Sequence, residues 1–331
     1  MYSTMVVLGY IAAVIYLKLF TFKKERIDRI SQNRLMFVSI LAFAALALSA
    51  LIFNSFFHSI EEGKIVVGGI TWLGGVIGVI PAAVILIHKF VPKDRGNALN
   101  RFSCMFPGLV IAHALGRVGC FLGGCCYGGL TDSFLGVSFP AGSLAGKQYP
   151  DKSVAEALTK VVESTNDAGE KIETILYPSL PVLPTQLIEA VFEILLFVAM
   201  ILLYKRFKNY NIEIYCFVYG AFRFTLEFFR GDNRGSTGMI VTPSQLMSII
   251  LFIGATMLIL FRNRKVFKKL YRKCEVWREA AKTASPSGTR PVFSSAERTT
   301  YSIRELHKLM EEGIITKEEF EAKKKDLLSR L

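Results

Sequence analysis

Long apolar runs alternate with short polar segments along residues 1–262 of the chain. Seven of these runs approach or exceed the roughly 20 residues that a helix needs to cross the hydrocarbon core of a bilayer. Each run is continuous and does not alternate with polar residues, so the pattern predicts membrane-spanning helices and argues against an outer-membrane barrel. The seven predicted spans are Tyr2 to Leu17, Leu35 to Phe57, Ile65 to Ile87, Phe102 to Phe121, Val182 to Tyr204, Ile212 to Phe229 and Thr242 to Phe261.

The distribution of charge predicts how these spans are oriented. The chain has 331 residues, of which 52% are apolar, and a formal net charge of +13. Its basic residues cluster after the first, third, fifth and seventh spans, whereas the loops between them lack a basic cluster. Since basic loops tend to stay in the cytoplasm, we predict an outside N-terminus and a cytoplasmic C-terminus. We attribute the net charge to topology and to contact with anionic membrane lipids, and not to nucleic-acid binding.

Composition and patterning divide the chain into three parts. They exclude a disordered chain, a disulfide-stapled secreted module and an ordinary soluble enzyme, and predict an all-α polytopic membrane protein. Residues 1–262 form the predicted seven-span membrane domain, with residues 128–183 as an external loop. Residues 263–300 form a basic juxtamembrane segment and linker, and residues 301–331 a small helical module. In that module Ser302 is predicted to cap the first helix, and Thr316 with Glu319 to form a capping box on the second.

The C-terminal module carries its own resemblance. The segment from Arg304 to Lys324 is similar to the short C-terminal domain called SHOCT. That family implies a small helical interaction or oligomerisation module without chemistry, and so a protein partner or self-association. We expect His307, within this segment, to be a solvated surface residue.

The sixth span contains ionisable side chains on one face. Tyr219, Arg223, Glu227 and Arg230 lie at i, i+4, i+8 and i+11, which places all four on one stripe of a helix. A charged residue inside a span costs about 2.5 to 3.5 kcal/mol, so this stripe needs a reason. One interpretation is a buried ion pair that fixes helix packing. The other is an anion site in which Glu227 orients Arg223.

The fourth span offers a second candidate for the same anion. His113 and Arg117 are again one turn apart, and a segment rich in glycine and cysteine follows them. Such a segment predicts a helix break, which a membrane tolerates where it lines a cavity. The planar guanidinium of arginine suits two phosphate oxygens. Two membrane arginines that converge on one anion would suit a phospholipid headgroup.

Two further spans contribute polar or small residues near their ends. The glycines between Gly68 and Gly78 predict close helix packing in the third span. The alternative is that this part of the span forms another wall of the cavity. The fifth span is expected to begin at Pro184, because proline favours the first turn of a helix. Gln186 and Glu189 would then lie near the external surface.

The cysteines near the end of the fourth span leave several interpretations open. Cys120, Cys125 and Cys126 are small residues that can fill helix contacts. In an oxidising compartment, Cys120 could form a disulfide with one of the other two. Their clustering supports an alternative function, a membrane thiol oxidoreductase. No metal site is predicted, because no fourth soft ligand is nearby in sequence. An anion transporter is a third hypothesis, against which the chain lacks an obvious internal repeat.

Five motifs follow one another along the spans. They are Gly68-Gly-Ile-Thr-Trp-Leu-Gly-Gly-Val-Ile-Gly, Gly116-Arg-Val-Gly-Cys-Phe with Tyr127-Gly128, Pro184-Thr-Gln-Leu-Ile-Glu, Tyr219-Gly-Ala-Phe-Arg-Phe-Thr-Leu-Glu-Phe-Phe-Arg and Thr242-Pro-Ser-Gln-Leu-Met-Ser. In this order they resemble the prolipoprotein diacylglyceryl transferase family. The resemblance implies seven spans and an outside N-terminus in the bacterial plasma (inner) membrane. It also implies transfer of the diacylglyceryl group of phosphatidylglycerol to the lipobox cysteine thiol of lipoprotein precursors, with release of glycerol phosphate. No cofactor is predicted.

The resemblance also implies roles for the polar residues of these motifs. Arg117 and Arg223 would hold the phosphate and stabilise the leaving group. Glu227 and Arg230 would support Arg223. The substrate cavity would further be lined by Gln186, Glu189, Tyr219, Cys120 and Gly128.

The chain departs from the family pattern in two places. Leu73 stands where the family usually has a histidine that has been considered a candidate base. Cys120, Gly124 and Cys125 stand where the family signature usually has Asn, Asn and Glu. Thiol activation therefore lacks its usual carrier, and His113, one turn before Arg117, is the substitute that the sequence offers.

Overall fold

A computed structural model describes residues 2–165, 171–232, 240–264 and 295–329, together with residues 271, 272 and 274. Most of the predicted linker, residues 265–270, 273 and 275–294, lies outside the described residues. The chain divides into two compact units, Met1–Leu258 and Ile259–Leu331.

Helices dominate the described parts of the chain. The two C-terminal helices, Ser295–Glu311 and Lys317–Leu328, follow the membrane helices in sequence. In chain order the earlier elements are α1 (Tyr2–Tyr16) with a π-helical turn (Leu17–Thr21) and α2 (Phe22–Lys24), α3 (Arg29–Glu62), α4 (Trp72–Phe90), a 3₁₀ turn (Pro92–Asn97), α5 (Ala98–Met105), α6 (Pro107–Leu122), α7 (Leu144–Gln148), a 3₁₀ turn (Glu156–Leu158), β1 (Lys160–Thr165), β2 (Lys171–Leu176), α8 (Thr185–Leu202), α9 (Tyr204–Phe207), a 3₁₀ turn (Lys208–Tyr210), α10 (Asn211–Leu226), a 3₁₀ turn (Glu227–Phe229) and α11 (Pro243–Arg262).

Six helical segments among the described residues are long and apolar enough to cross a membrane, which confirms a polytopic helical fold. The predicted sixth span corresponds to α10, which has 16 residues before the backbone tightens into a 3₁₀ turn. The count of seven spans and the orientation of the termini stay predictions. The predicted third span was set too early, because the left-handed backbone at Gly69 (φ 67°) delays the helix until Trp72.

The outward faces of these helices are apolar. Ile85, Leu195 and Met257 expose about two thirds of their surface. The core between the helices is formed by side chains that are fully buried, among them Leu35 on α3 and Val76 on α4. Apolar residues on both faces of a helix are typical of a helix in contact with lipid on one side and protein on the other.

Ion pairs join three of the basic loops at one end of the bundle. Lys208 Nζ lies 2.8 Å from Glu25 Oε1, which connects the segment after α9 to the segment after α2. Lys93 Nζ lies 2.9 Å from Asp28 Oδ1, and its hydrogen bond lowers the pKa of Asp28 to about 2. The loops that the charge pattern assigns to one side of the membrane therefore meet at one end of the fold.

The glycines of α4 let that helix approach α3 closely, as the small-residue interpretation predicts. A Cβ atom at Gly74 would lie 2.5 Å from Phe53 Cβ, and one at Gly78 would overlap the Ser49 side chain. The Ser49 hydroxyl donates a hydrogen bond to the carbonyl of Gly74. Contact at this distance excludes any side chain larger than hydrogen.

Hydrogen bonds close the base of the 128–183 loop. The Gly128 N–H donates to Leu183 O at 2.8 Å, and the Leu183 N–H donates to Gly129 O at 3.0 Å. Above this base the loop contains α7 and the antiparallel pair β1–β2, in which Lys160 is opposite Leu176. The all-α prediction therefore omits one small hairpin.

The C-terminal helices contact each other at Phe320, which is buried and whose ring centroid lies 5.6 Å from that of His307. The capping box is confirmed, because Thr316 Oγ1 accepts from the Glu319 N–H at 3.2 Å and Glu319 accepts from the Thr316 N–H at 2.9 Å. The predicted cap at Ser302 is wrong, since that helix begins at Ser295. His307 is exposed, as expected.

A buried charged site between helices

Six polar side chains from three helices meet inside the bundle, and we call them the buried network. His113 and Arg117 come from α6, Glu189 and Glu193 from α8, and Tyr215 and Tyr219 from α10. Each helix contributes two residues four positions apart, so each pair lies on one face, one turn apart. All six are buried.

Arg117 is held on two sides within the buried network. Its Nη2 atom lies 3.0 Å from Glu189 Oε1, and its Nε–H donates to His113 Nε2 at 3.1 Å. The Tyr219 hydroxyl donates to the same Glu189 oxygen at 2.6 Å. Glu189 is fully buried, so its charge is screened little by water and acts strongly on this guanidinium.

The hydrogen bonds of His113 fix its ring orientation and its tautomer. Because Nε2 accepts from Arg117, Nδ1 carries the proton and donates to Glu193 Oε1 at 2.9 Å. The Trp72 ring stacks on the His113 ring with centroids 3.9 Å apart. Trp72 Nε1–H also donates to the Tyr215 hydroxyl at 2.7 Å, so the tryptophan closes the network from α4.

Some polar atoms in and around the network have no hydrogen-bond partner among the described residues. These are Glu189 Oε2, Glu193 Oε2, Gln186 Oε1 and Arg223 Nη1. Buried polar atoms are usually paired, because an unpaired one costs about 1 to 3 kcal/mol. Their clustering is typical of a functional site and not of an optimised core.

Arg117 and His113 form part of the wall of a cavity of about 420 Å³. Trp72, Cys120, Cys125 and Cys126 also line this cavity, and most of the remaining wall is apolar. A second, smaller apolar cavity of about 80 Å³ shares four lining residues with the first, namely Phe43, Leu46, Leu109 and Ala112. The buried guanidinium of Arg117 therefore lies beside apolar space.

Arg223 and Glu227 meet as the sequence spacing predicts. Arg223 Nη2 lies 2.6 Å from Glu227 Oε2 and donates to Ser244 Oγ at 2.9 Å. Thr242 Oγ1 donates to Glu227 Oε1 at 3.0 Å, so the residue directly before α11 anchors the carboxylate. Arg117 lines the 420 Å³ cavity, whereas Arg223 is not among its lining residues.

Arg230 departs from the predicted stripe. The helix ends at Leu226, and after the 3₁₀ turn the backbone at Arg230 is extended. Its guanidinium therefore pairs with Asp232, at 2.8 Å from Nε to Oδ1, and donates to Thr185 Oγ1 at 3.3 Å. Within the described part of the chain, the side-chain partners of Arg230 are thus Asp232 and Thr185, and not Arg223 or Glu227.

Three other predicted residues have structural partners. Gln186 Nε2 donates to the carbonyl of Cys125 at 2.7 Å. Gly128 pairs with the backbone of Arg230, and a Cβ atom there would lie 2.7 Å from Phe229 O. Cys120 lines the cavity beside Arg117. Gln186 and Gly128 thus position the loops next to the cavity, while Cys120 forms part of its wall.

The site also contains Glu193, Tyr215 and Trp72, which the sequence pattern did not identify. Glu193 is an ionisable residue inside the fifth span, so the energetic argument that found Arg223 applies to it as well. Tyr215 lies one turn before Tyr219 on the same helix face. Trp72 gives no such signal, since an aromatic residue in a membrane helix is ordinarily packing.

These features define a class of protein: a multi-pass membrane protein with a buried ionic site beside an apolar cavity. A model of the prolipoprotein diacylglyceryl transferase family matches residues 1–261, and a model of the short C-terminal domain matches residues 302–328. The chain belongs to the prolipoprotein diacylglyceryl transferase family. Both resemblances noted in the sequence are thereby confirmed, and the chain is a transferase-family protein of the bacterial plasma membrane.

Individual relatives carry the same name. The chain is 32% identical over 206 residues to phosphatidylglycerol–prolipoprotein diacylglyceryl transferase 2 of Clostridium perfringens, covering 61% of this chain and 63% of that protein. It is 26% identical over 274 residues to the corresponding transferase of Clostridium tetani, covering 80% and 94%. The match to the first relative thus spans less than two thirds of that protein. These comparisons give the thiol oxidoreductase alternative no support.

Proposed function

We propose that this chain transfers the diacylglyceryl group of phosphatidylglycerol to the lipobox cysteine thiol of lipoprotein precursors. The observation that carries the proposal is the placement of Arg117, a buried guanidinium in the wall of a largely apolar cavity. A phospholipid offers the complementary pair, an anionic phosphate next to acyl chains. The relatives named above support the same substrates.

The chemistry would be a displacement at the carbon of the diacylglyceryl group that is bonded to the phosphate oxygen. The thiol sulfur forms a C–S bond with that carbon, the C–O bond breaks, and its electron pair leaves with glycerol phosphate. The leaving phosphate gains negative charge as the bond breaks. A guanidinium held by the Glu189 carboxylate and aimed at this charge would stabilise it, as donors placed at a developing charge lower a barrier.

The thiol proton needs an acceptor, and His113 is the candidate. Its Nε2 lone pair accepts from Arg117 Nε–H in the structure. When a phosphate draws Arg117 toward the cavity, this lone pair becomes available for the thiol proton. The bond from Nδ1–H to Glu193 would stabilise the resulting imidazolium, as a carboxylate does behind other catalytic histidines.

Arg223 and Glu227 would act as a second cationic element. The Nη1 atom of Arg223 has no partner in the described structure, so it retains a donor for a phosphate or glycerol oxygen. Glu227, held by Thr242, would orient the guanidinium. Tyr219 and Glu189 would position Arg117, and Arg230, Gln186 and Gly128 would hold the adjoining loops.

The test is expression in bacterial cells depleted of their own transferase, followed by detection of lipid-modified precursor. We expect modification by this chain and a loss of about 100-fold or more in Arg117→Gln, the size of effect seen when a transition-state donor is removed. Arg101→Gln is the matched control, since Arg101 pairs with Asp94 and does not line the cavity. Inserted protein that modifies no precursor would contradict the proposed reaction.

We further propose that residues 301–331 act as a separate interaction module, through self-association or a protein partner. Its two helices have their own buried contact at Phe320 and their own cap at Thr316. Cross-linking of full-length protein in membranes tests this. We expect a cross-linked product that disappears when the module is deleted, and a pattern unchanged by the deletion would contradict it.

A further inference from the structure

The cysteines at the end of α6 meet in space although they are spread along the loop. The sulfur atoms of Cys120, Cys125 and Cys126 all lie within 4.8 Å of one another. All three residues line the 420 Å³ cavity, and Arg117 lines it with them. The transfer reaction as proposed above uses none of these thiols.

The backbone that brings them together is tightly constrained. Gly124 and Cys126 both adopt left-handed backbone, with φ of 63° and 66°. For cysteine this conformation costs on the order of 1 to 3 kcal/mol, and it persists only where surrounding contacts impose it. Those contacts come from α8, because Gln186 Nε2 donates to Cys125 O at 2.7 Å and Thr185 Oγ1 donates to Cys126 O at 2.8 Å.

Three thiolates at this spacing match the coordination of a soft cation. Zn²⁺ binds thiolate sulfur at about 2.3 Å, which places neighbouring sulfurs roughly 3.8 to 4 Å apart. Because the sulfurs are at most 4.8 Å apart, the cluster reaches that spacing with shifts of about an ångström or less. The sequence argued against a metal for want of a fourth soft ligand, but a site with three protein ligands keeps its fourth position for water or substrate.

We propose that Cys120, Cys125 and Cys126 bind one thiophilic d¹⁰ cation of the Zn²⁺ class, with its fourth position facing the cavity. Three thiolates and a divalent cation leave one negative charge, and the Arg117 guanidinium lies one turn before Cys120 on α6. An incoming thiol is the natural fourth ligand, since a coordinated thiol loses its proton. Only the identity of that fourth ligand rests on the proposed function.

The experiment uses the full-length protein, reduced and purified in detergent, and Cd²⁺ as the probe. We expect ultraviolet sulfur-to-metal absorption that saturates at one Cd²⁺ per chain and is reversed by Zn²⁺. Cys120→Ser, Cys125→Ser and Cys126→Ser should each weaken binding by more than the roughly 10- to 100-fold typical of outer-shell changes. Cys104→Ser, a buried cysteine on α5, is the control and should bind like the parent.

Three results would overturn the proposal. The first is no saturable absorption in the reduced protein, and the second is undiminished binding in Cys125→Ser. The third is a disulfide between Cys120 and Cys125 that re-forms on removal of reductant and blocks Cd²⁺. Melting temperatures of the metal-free variants show whether each one is folded. Because the readout needs neither lipid nor precursor, a failed metal titration and a failed transfer assay are distinguishable.

Discussion

Arg117 shows how a single charged residue can be kept inside a membrane protein. Its guanidinium has a carboxylate on one side and an imidazole on the other, and both partners are themselves hydrogen-bonded. The desolvation cost of such a group is large, and it is offset only while the partners remain. At the residue scale, therefore, the partners of Arg117 matter as much as Arg117 does.

Removal of Glu189 tests that dependence. We expect Glu189→Ala to leave Arg117 buried without a counter-ion and to destabilise the protein by about 3 to 5 kcal/mol, with loss of transfer. Thermal unfolding in detergent and precursor modification in cells measure the two effects. Glu62→Ala is the control, because Glu62 is exposed and pairs with Lys64 at the surface. Equal melting temperatures for both variants would contradict this account.

Leu73 gives a second test at this scale. Its side chain is 2% exposed and packs in the apolar core, and it is absent from the cavity wall that Trp72 helps to form. We expect Leu73→His to lower stability by about 1 to 3 kcal/mol, because a polar ring is buried without a partner, and to bring no gain in transfer. Leu73→Met should cost less than about 1.5 kcal/mol. Faster precursor modification by Leu73→His than by the parent chain would contradict this expectation.

At the scale of elements, apolar runs predicted where helices exist but not where they end. The length and hydrophobicity of a run determine whether a helix forms, since a continuous apolar run has no other stable state in a bilayer. Ends depend on local backbone geometry, and the pattern of apolar residues carries no signal for it. Gly69 delays α4 to Trp72, and the tightening at Glu227 shortens α10 and turns Arg230 away from the helix stripe.

The contact between α3 and α4 provides the test at the scale of elements. We expect Gly74→Ala to lower stability by about 1 to 3 kcal/mol, because its Cβ would meet Phe53 at 2.5 Å and push the helices apart. Gly254→Ala on α11 is the matched control, with open space around the added carbon. That change should be neutral or stabilise the helix by up to about 1 kcal/mol. A similar melting temperature for the two variants would refute close packing at Gly74.

At the scale of the whole molecule, the sequence predicted the site in part. Arg117, Arg223 and Glu227 were identifiable because a charge inside a span is costly and needs a function. The pairing of His113 with Glu193 and the stacking of Trp72 depend on how α4, α6 and α8 face one another, which one sequence does not encode in any local pattern. The three-sulfur cluster likewise arises from a turn whose unusual backbone is imposed by α8.

The separation of the chain into units leads to a prediction about truncation. All residues with a role in the proposed transfer lie within Met1–Leu258, the first compact unit. We expect a chain truncated after residue 274 to keep precursor modification within about twofold of the full chain, compared at equal amounts of membrane-inserted protein. Loss of modification with normal insertion would assign residues 275–331 a part in the reaction.

The hydrogen-bonded base of the 128–183 loop has a practical consequence for mapping the protein in its membrane. Gly128 and Leu183 are bonded neighbours, so the length of chain between them can change while both ends stay in register with the bundle. A protease recognition sequence inserted into the β1–β2 hairpin should therefore leave the transfer site undisturbed. Protease added to intact spheroplasts would cut the protein at that insertion only if the loop lies outside. The result would therefore reveal on which side of the membrane the loop lies, and with it the direction in which every helix runs.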